Sequence, residues 1–145
     1  IGIADKRILG NFLKKNKKDL VFFAFKFSYF QKSLGNSHTH LIINKNKITN
    51  IKVKSRYNGL GYGHAGFFWI KSTKVFKYLD FFKNSSFYKN LKREVLIDDY
   101  FKFLVIKKLI STNHFLLEDY IHIGSKKEYR EYNYWSNYFN EKKLA

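Results

Sequence analysis

The chain contains no cysteine, no proline and no methionine, and only 11 of its 145 residues are acidic. Without cysteine there is no disulfide framework, no thiolate metal site and no cysteine nucleophile, a pattern that fits a cytoplasmic protein. The missing methionines include an initiator. The chain opens on the strand-like run Ile1-Gly2-Ile3-Ala4-Asp5 rather than on a charged segment leading into a long apolar one, so its start reads as a cut. Long apolar runs are lacking too. The longest, Leu20-Val21-Phe22-Phe23-Ala24-Phe25, falls far short of the roughly 20 residues a membrane helix requires, and no transmembrane segment is expected.

What is abundant is positive charge and aromatic side chains. Lys and Arg number 28, giving a formal net charge of +17, a field that attracts polyanions. Lys, Asn, Ile, Phe and Tyr are plentiful while Ala and Arg are sparse, which AT-rich codons produce whatever the function. The charge therefore reads first as solvated lysines that would also help hold anionic substrates. A hydrophobic fraction of 45% with 20% aromatics favours collapse into a folded domain. At this length one core is the ceiling.

Periodicity predicts the order helix, strand, hairpin, strand, helix, helix, strand, helix. Residues 9–18, with Ile8, Leu9, Phe12 and Leu13 as the apolar side, close on lysines that suit the end of a helix dipole. Residues 20–27 are an unbroken β-favouring run, the mark of a strand buried on both faces. Gly35-Asn36-Ser37 signals a loop, and residues 39–43 and 48–53 form a hairpin around Asn44-Lys45-Asn46-Lys47. A Gly-rich loop containing Gly59, Gly61, Gly63 and Gly66 leads into the strand Phe67-Phe68-Trp69-Ile70. Ser72 caps a helix carrying Val75, Phe76, Leu79 and Phe82, and residues 98–110 form the strongest helix, with Phe101, Leu104, Val105, Lys108 and Leu109 on its face. Residues 115–123 form a last strand, and Ser125 with Glu128 makes a capping-box pattern for a final helix. No repeat or linker divides the chain, so one α/β layered sheet is expected.

Chemical signals are few. The Gly-rich stretch matches neither a dinucleotide fingerprint nor a P-loop, and it precedes a strand rather than a helix. His38, His40, His64, His114 and His122 lack the spacing of a helical metal site. Because acidic residues are scarce, each one near a strand end carries information: Mg²⁺ takes oxygen ligands, and phosphoryl chemistry usually needs Mg²⁺. Asp5, Glu94, Asp98, Asp99 and Asp119 are the candidates, with Asp98 also reading as a helix N-cap. No serine-nucleophile motif or paired-carboxylate hydrolase spacing is recognisable.

Three segments, taken in order, resemble the later part of the sugar-1-phosphate nucleotidyltransferases, the GT-A-like pyrophosphorylases that make nucleotide sugars. Residues 41–54, ending in Val53-Lys54, look like the family's hairpin, which closes on an apolar-x-Glu-Lys tetrad. Gly66-Phe67-Phe68-Trp69-Ile70 looks like its Gly-aromatic strand, and Glu94-Val95-Leu96-Ile97-Asp98-Asp99 like the Glu-x-x-Leu/Ile-x-Asp stretch that follows. Asp119-Tyr120-Ile121-His122-Ile123-Gly124-Ser125 resembles the closing Trp-x-Asp-x-Gly-Thr-Pro motif. Together they cover residues 20–140.

The resemblance implies a Rossmann-like (GT-A-like) nucleotidyltransferase sheet flanked by helices, with its N-terminal part missing, so that residues 1–145 form the C-terminal portion of the domain. The family's Gly-x-Gly-Thr/Ser-Arg signature, which wraps the nucleoside triphosphate, is absent. Lys54 stands at the position of the lysine that holds the sugar phosphate; Gly66, Glu94 and Asp99 fall at substrate-binding positions. Asp5 and His122 fall at the positions of two metal-binding aspartates, with Mg²⁺ the expected cofactor and a nucleoside triphosphate and a sugar phosphate the expected partners. Val53 replaces the neighbouring acidic residue, and His122 an aspartate. Two other readings stay open: a catalytically inactive interaction domain on the same fold, and a basic nucleic-acid-binding module.

Overall fold

An unbroken apolar strand has nowhere to point a side chain except into a core, and both faces of Leu20–Phe25 are covered in the computed structural model, which describes residues 2–3, 5–27, 38–56, 59, 61–120 and 126–142. The elements run β1 Gly2–Ile3, α1 Lys6–Lys15, β2 Leu20–Phe25, β3 His38–Asn44, β4 Lys47–Ser55, β5 Tyr62–Ile70, a 3-10 turn Thr73–Phe76, α2 Leu79–Asn84, α3 Ser86–Lys89, α4 Ile97–Ile106, β6 Thr112–Leu116, β7 Asp119–Tyr120 and α5 Lys126–Lys142. Five strands make a mixed sheet in the order β4-β3-β5-β2-β6, in which β2 and β6 are parallel and the other pairs antiparallel. β1 and β7 pair separately.

The alternation of β2 divides the hydrophobic interior in two. Leu20, Phe22 and Ala24 join Phe101 and Leu104 of α4 on one side of the sheet. Val21, Phe23 and Phe25 join Phe115 and, from α1, Leu9, Phe12 and Leu13 on the other. Aromatic edges fix both interfaces: Phe101 meets Phe22 and Phe68 at centroid distances of 5.6 and 4.7 Å, and Phe12 meets Phe115 at 5.1 Å. Among the described residues no helix is long and apolar enough to cross a membrane.

Several expected elements shift, each for a visible reason. The helix after Ser72 is broken into the 3-10 turn and α2, and at the break the Val75 carbonyl accepts the Tyr100 hydroxyl; Ser72 still caps, its Oγ accepting from the Lys74 N–H. α4 begins at Ile97 with Leu96 at the N-cap, so Asp98 is a first-turn residue and not the cap. It ends at Ile106 rather than at residue 110, with Lys108 in the left-handed region at φ 53°. The last strand is split between two sheets: β6 stays beside β2, the Leu117 N–H reaches the Ala24 carbonyl at 2.8 Å, and β7 turns away to meet β1. β5 begins at Tyr62, so Gly63 and Gly66 belong to the strand and not to a loop. The loop signal at residues 35–37 and the capping serine at 125 lie outside the described residues.

Gly63 is required by packing. A Cβ there would overlap the Phe25 ring, which is itself stacked on Tyr120 at 4.1 Å and buried. Gly63→Ala is expected to lower stability by about 1–3 kcal/mol through overpacking, read from the urea midpoint; an unchanged midpoint would mean that the ring yields freely.

Acid sensitivity follows from buried groups. Burial pushes the His40 and His114 imidazoles below their ordinary pKa, with His38 and Lys52 adding repulsion at His40. Below the ordinary value of 6.5 the unfolded chain takes up protons that the folded one refuses, so stability falls from there toward the lower folded values. Asp19 adds a second loss: burial opposes its ionisation, but bonds from Ser111 and Ser72 and the charge of Lys74 outweigh that and lower its pKa, so its contribution disappears as pH falls through a value below 3.8. The melting temperature should therefore decline between pH 7 and 5, and decline less in His114→Asn; identical curves for the two proteins would refute the histidine assignment.

Candidate functional site

Two breaks in strand register build a cavity at one end of the sheet. Between the partners His38↔Ser55 and His40↔Lys52, β3 has Thr39 alone where β4 has Val53 and Lys54. Between Phe22↔Phe68 and Ala24↔His64, β2 has Phe23 alone where β5 has Ala65, Gly66 and Phe67. Such bulges bend a strand and re-aim its side chains. Each holds a residue in the left-handed region, Lys54 at φ 41° and Gly66 at φ 83°. Glycine adopts that backbone without strain, whereas at a lysine it costs about 1–3 kcal/mol.

Both residues line one cavity of about 250 Å³, together with His38, Thr39, His64, Ala65, Asp98 and Tyr120. Asp98 enters it from the first turn of α4. Its carboxylate accepts the Thr39 hydroxyl at 2.6 Å and faces His64 Nδ1 at 3.3 Å. The bulge brings the Phe67 carbonyl back to His64 Nε2 at 3.2 Å, so both nitrogens of this buried ring face acceptor oxygens. Burial opposes ionisation of Asp98, but hydrogen bonds from His64 and Thr39 and the nearby charges of His64 and Lys54 prevail, and its pKa lies below the usual carboxylate value. A carboxylate has about four acceptor positions, so two such contacts leave Asp98 capacity to accept from a ligand. Tyr120 closes a wall, its hydroxyl donating to the Ala65 carbonyl at 3.0 Å.

The residues singled out in the sequence are divided by this geometry. Lys54 and Gly66 come together. Glu94 is exposed ahead of α4, its carbonyl taking the Arg93 guanidinium at 2.8 Å, and does not line the cavity. Asp99 is also outside it: only 2% exposed, it accepts both Arg93 guanidinium nitrogens, at 2.8 and 2.7 Å, and the Leu96 N–H at 2.9 Å, which makes it the structural carboxylate of the helix start. Asp5 caps α1, its Oδ1 accepting from the Arg7 and Ile8 N–H groups at 2.7 and 3.1 Å. His122 lies outside the described residues. Among the described residues no group of three His, Asp or Glu side chains could hold a metal ion.

Sequence reasoning assigned no role to Thr39, His64 or Tyr120 and named Asp98 both as a candidate carboxylate and as a helix cap. The available signal was the Asp98-Asp99 pair in a chain poor in acid. Two adjacent carboxylates at a helix start point in different directions, and only the true start of α4 tells which one enters the cavity. Nothing in the residue pattern announces the bulge that folds His64 over Asp98.

No family model and no curated protein sequence matches this chain. Solved structures do. The nucleoside-diphosphate-sugar pyrophosphorylase from Vibrio cholerae RC9 is 14% identical, with 89% of this chain aligned to 49% of that one at a TM-score of 0.60. The inositol-1-phosphate CTP transferase from T. maritima is 16% identical over 70% of this chain and 36% of its own, at a TM-score of 0.50. A protein from Bacillus anthracis designated a glucose-1-phosphate thymidylyltransferase, solved with a sucrose, is 18% identical over 81% and 43%, also at 0.50. The chain thus spans less than half the length of each, and at these identities the likeness is one of fold. The five-stranded mixed sheet with its flanking helices is the fold of the sugar-phosphate nucleotidyltransferases.

Proposed function

We propose that this chain is the C-terminal portion of a nucleotidyltransferase domain that joins a sugar 1-phosphate to a nucleoside triphosphate, forming a nucleotide sugar in the cytoplasm. The observation that carries this reading is the convergence of Lys54 and Gly66, separated by a strand crossing and drawn from two different bulges, on one cavity opposite Asp98. Its fold is that of proteins whose names state such transfers.

In this reading an oxygen of the sugar phosphate attacks the α-phosphorus of the triphosphate in line; the new P–O bond forms as the bond to pyrophosphate breaks. Lys54 holds the sugar phosphate as a point charge. The open space beside Gly66 lets the sugar lie close to the backbone. Asp98, fixed by Thr39 and His64, accepts from sugar hydroxyls. Catalysis then consists of positioning and charge neutralisation, without a covalent intermediate. Mg²⁺ would supply further neutralisation of phosphate charge, but the described residues do not make its site: Asp5 spends one oxygen on capping α1 and no cluster of ligands surrounds it. The residues that wrap the triphosphate belong to the family's Gly-rich signature, which this sequence lacks.

An inactive interaction domain is the second reading. It is favoured by Val53, which packs against the core where the resemblance calls for an acidic residue. The two separate in an assay of pyrophosphate release by the full-length protein, with Mg²⁺ and a panel of nucleoside triphosphates and sugar 1-phosphates. Release should require both substrates and fall by about a hundredfold or more in Lys54→Ala, while Asp98→Asn should raise KM for the sugar phosphate. A well-folded full-length protein that releases no pyrophosphate would establish the inactive domain instead.

A further inference from the structure

The opposite end of the sheet carries a second cavity, of about 910 Å³, between the β3–β4 turn and the loop joining α4 to β6. Its floor includes the buried apolar side chains of Ile48, Val105 and Ile110. Around it stand four exposed lysines, Lys18, Lys45, Lys47 and Lys108. Among the described residues no Asp or Glu lines it and none of the four lysines is ion-paired. Like charges gathered around an apolar floor repel one another and favour an anion between them.

Backbone strain points to the same place. The described non-glycine residues with positive φ are Lys45, Asn46, Lys54 and Lys108, and every one of them lines one of the two cavities. Lys45, at φ 46°, sits in a two-residue hairpin turn, and Lys108, at φ 53°, lies just past the end of α4; glycine or asparagine is the relaxed choice at both kinds of position. Codon bias explains many lysines on a surface. It does not explain lysine at these two turns, because asparagine is also common in this chain and would relieve both. Thr49, the extra residue of β4 between Ile42↔Asn50 and Ile43↔Ile48, adds a third irregularity to the same wall.

We infer that this groove binds a small phosphorylated ligand with an apolar or heteroaromatic part. The nine residues of β4, at about 3.3 Å each, run from this groove to Lys54, too far for one such ligand to occupy both sites. The assignment does not rest on the proposed transferase activity. The probe is ADP, titrated into the purified chain by calorimetry at low salt. Saturable binding is expected, weakened about tenfold or more in Lys45→Asn/Lys108→Asn through loss of two charge-assisted contacts, and unchanged in Lys54→Ala. Because asparagine suits both turns, the double variant should melt no lower than the parent, which separates lost binding from lost fold. Absence of saturable binding, or loss in Lys54→Ala with retention in the double variant, overturns the proposal. So does an oligouridylate that binds far more tightly than ADP and loses that affinity in the double variant, since the groove would then be an RNA surface.

Discussion

Every layer of this molecule is referred to β2. Its six residues are all buried, and neither face is spare, because one receives α4 and the other α1. A strand in that position must be held in register at its ends, since a slip of one residue would exchange the two cores. Asp19 does this at the entry. Its carbonyl accepts the Lys71 N–H at 2.9 Å from the end of β5, while its carboxylate accepts both the N–H and the hydroxyl of Ser111, at 2.7 and 2.8 Å, ahead of β6. One residue thereby ties both neighbours of the central strand to its start.

With the register held there, irregularity can be confined to places where it is useful. β5 is paired normally with β2 at Leu20↔Ile70 and bulges only farther along, between Phe22 and Ala24. β4 is paired normally with β3 along its middle and bulges near both ends. The two cavities lie where those departures occur. Left-handed lysines stand in both, which concentrates backbone strain and positive charge at the same points of an otherwise regular sheet.

What could be seen in the sequence divides along the same line. The continuous run of β2, the hairpin and the amphipathic α4 were legible because each is a regular pattern repeated over several residues. The helix expected after Ser72 is interrupted where the Val75 carbonyl accepts a hydroxyl from Tyr100, a contact distant in sequence that local periodicity does not mark. The strand expected across residues 115–123, of which 121–123 lie outside the described residues, is divided between two sheets: the chain changes sheets from Leu116 to Asp119, a topological event that leaves no periodic trace. Lys54 and Gly66 were found through resemblance, since nothing in composition marks one lysine among many. Asp98, Thr39 and His64 meet only because two bulges and a helix start coincide. Local pattern cannot encode such coincidences.

Charge placement inside the candidate site sets a direction for whatever binds there. Asp98 is the one carboxylate among the described residues lining that cavity, and its neighbours favour its ionised form. Two unit charges about 4 Å apart in surroundings of effective dielectric about 20 interact by roughly 4 kcal/mol. A phosphate beside Asp98 would meet that as repulsion, and beside Lys54 as attraction. Under the proposed function, a sugar phosphate in this cavity would therefore be oriented with its anionic end at the β4 bulge and its hydroxyls toward α4. The net charge of +17 favours the approach of any anion from solution, but it gives no orientation. Orientation comes from a single acidic side chain placed against that background, so a neutral residue at position 98 would leave attraction intact and remove the distinction between the ligand's two ends.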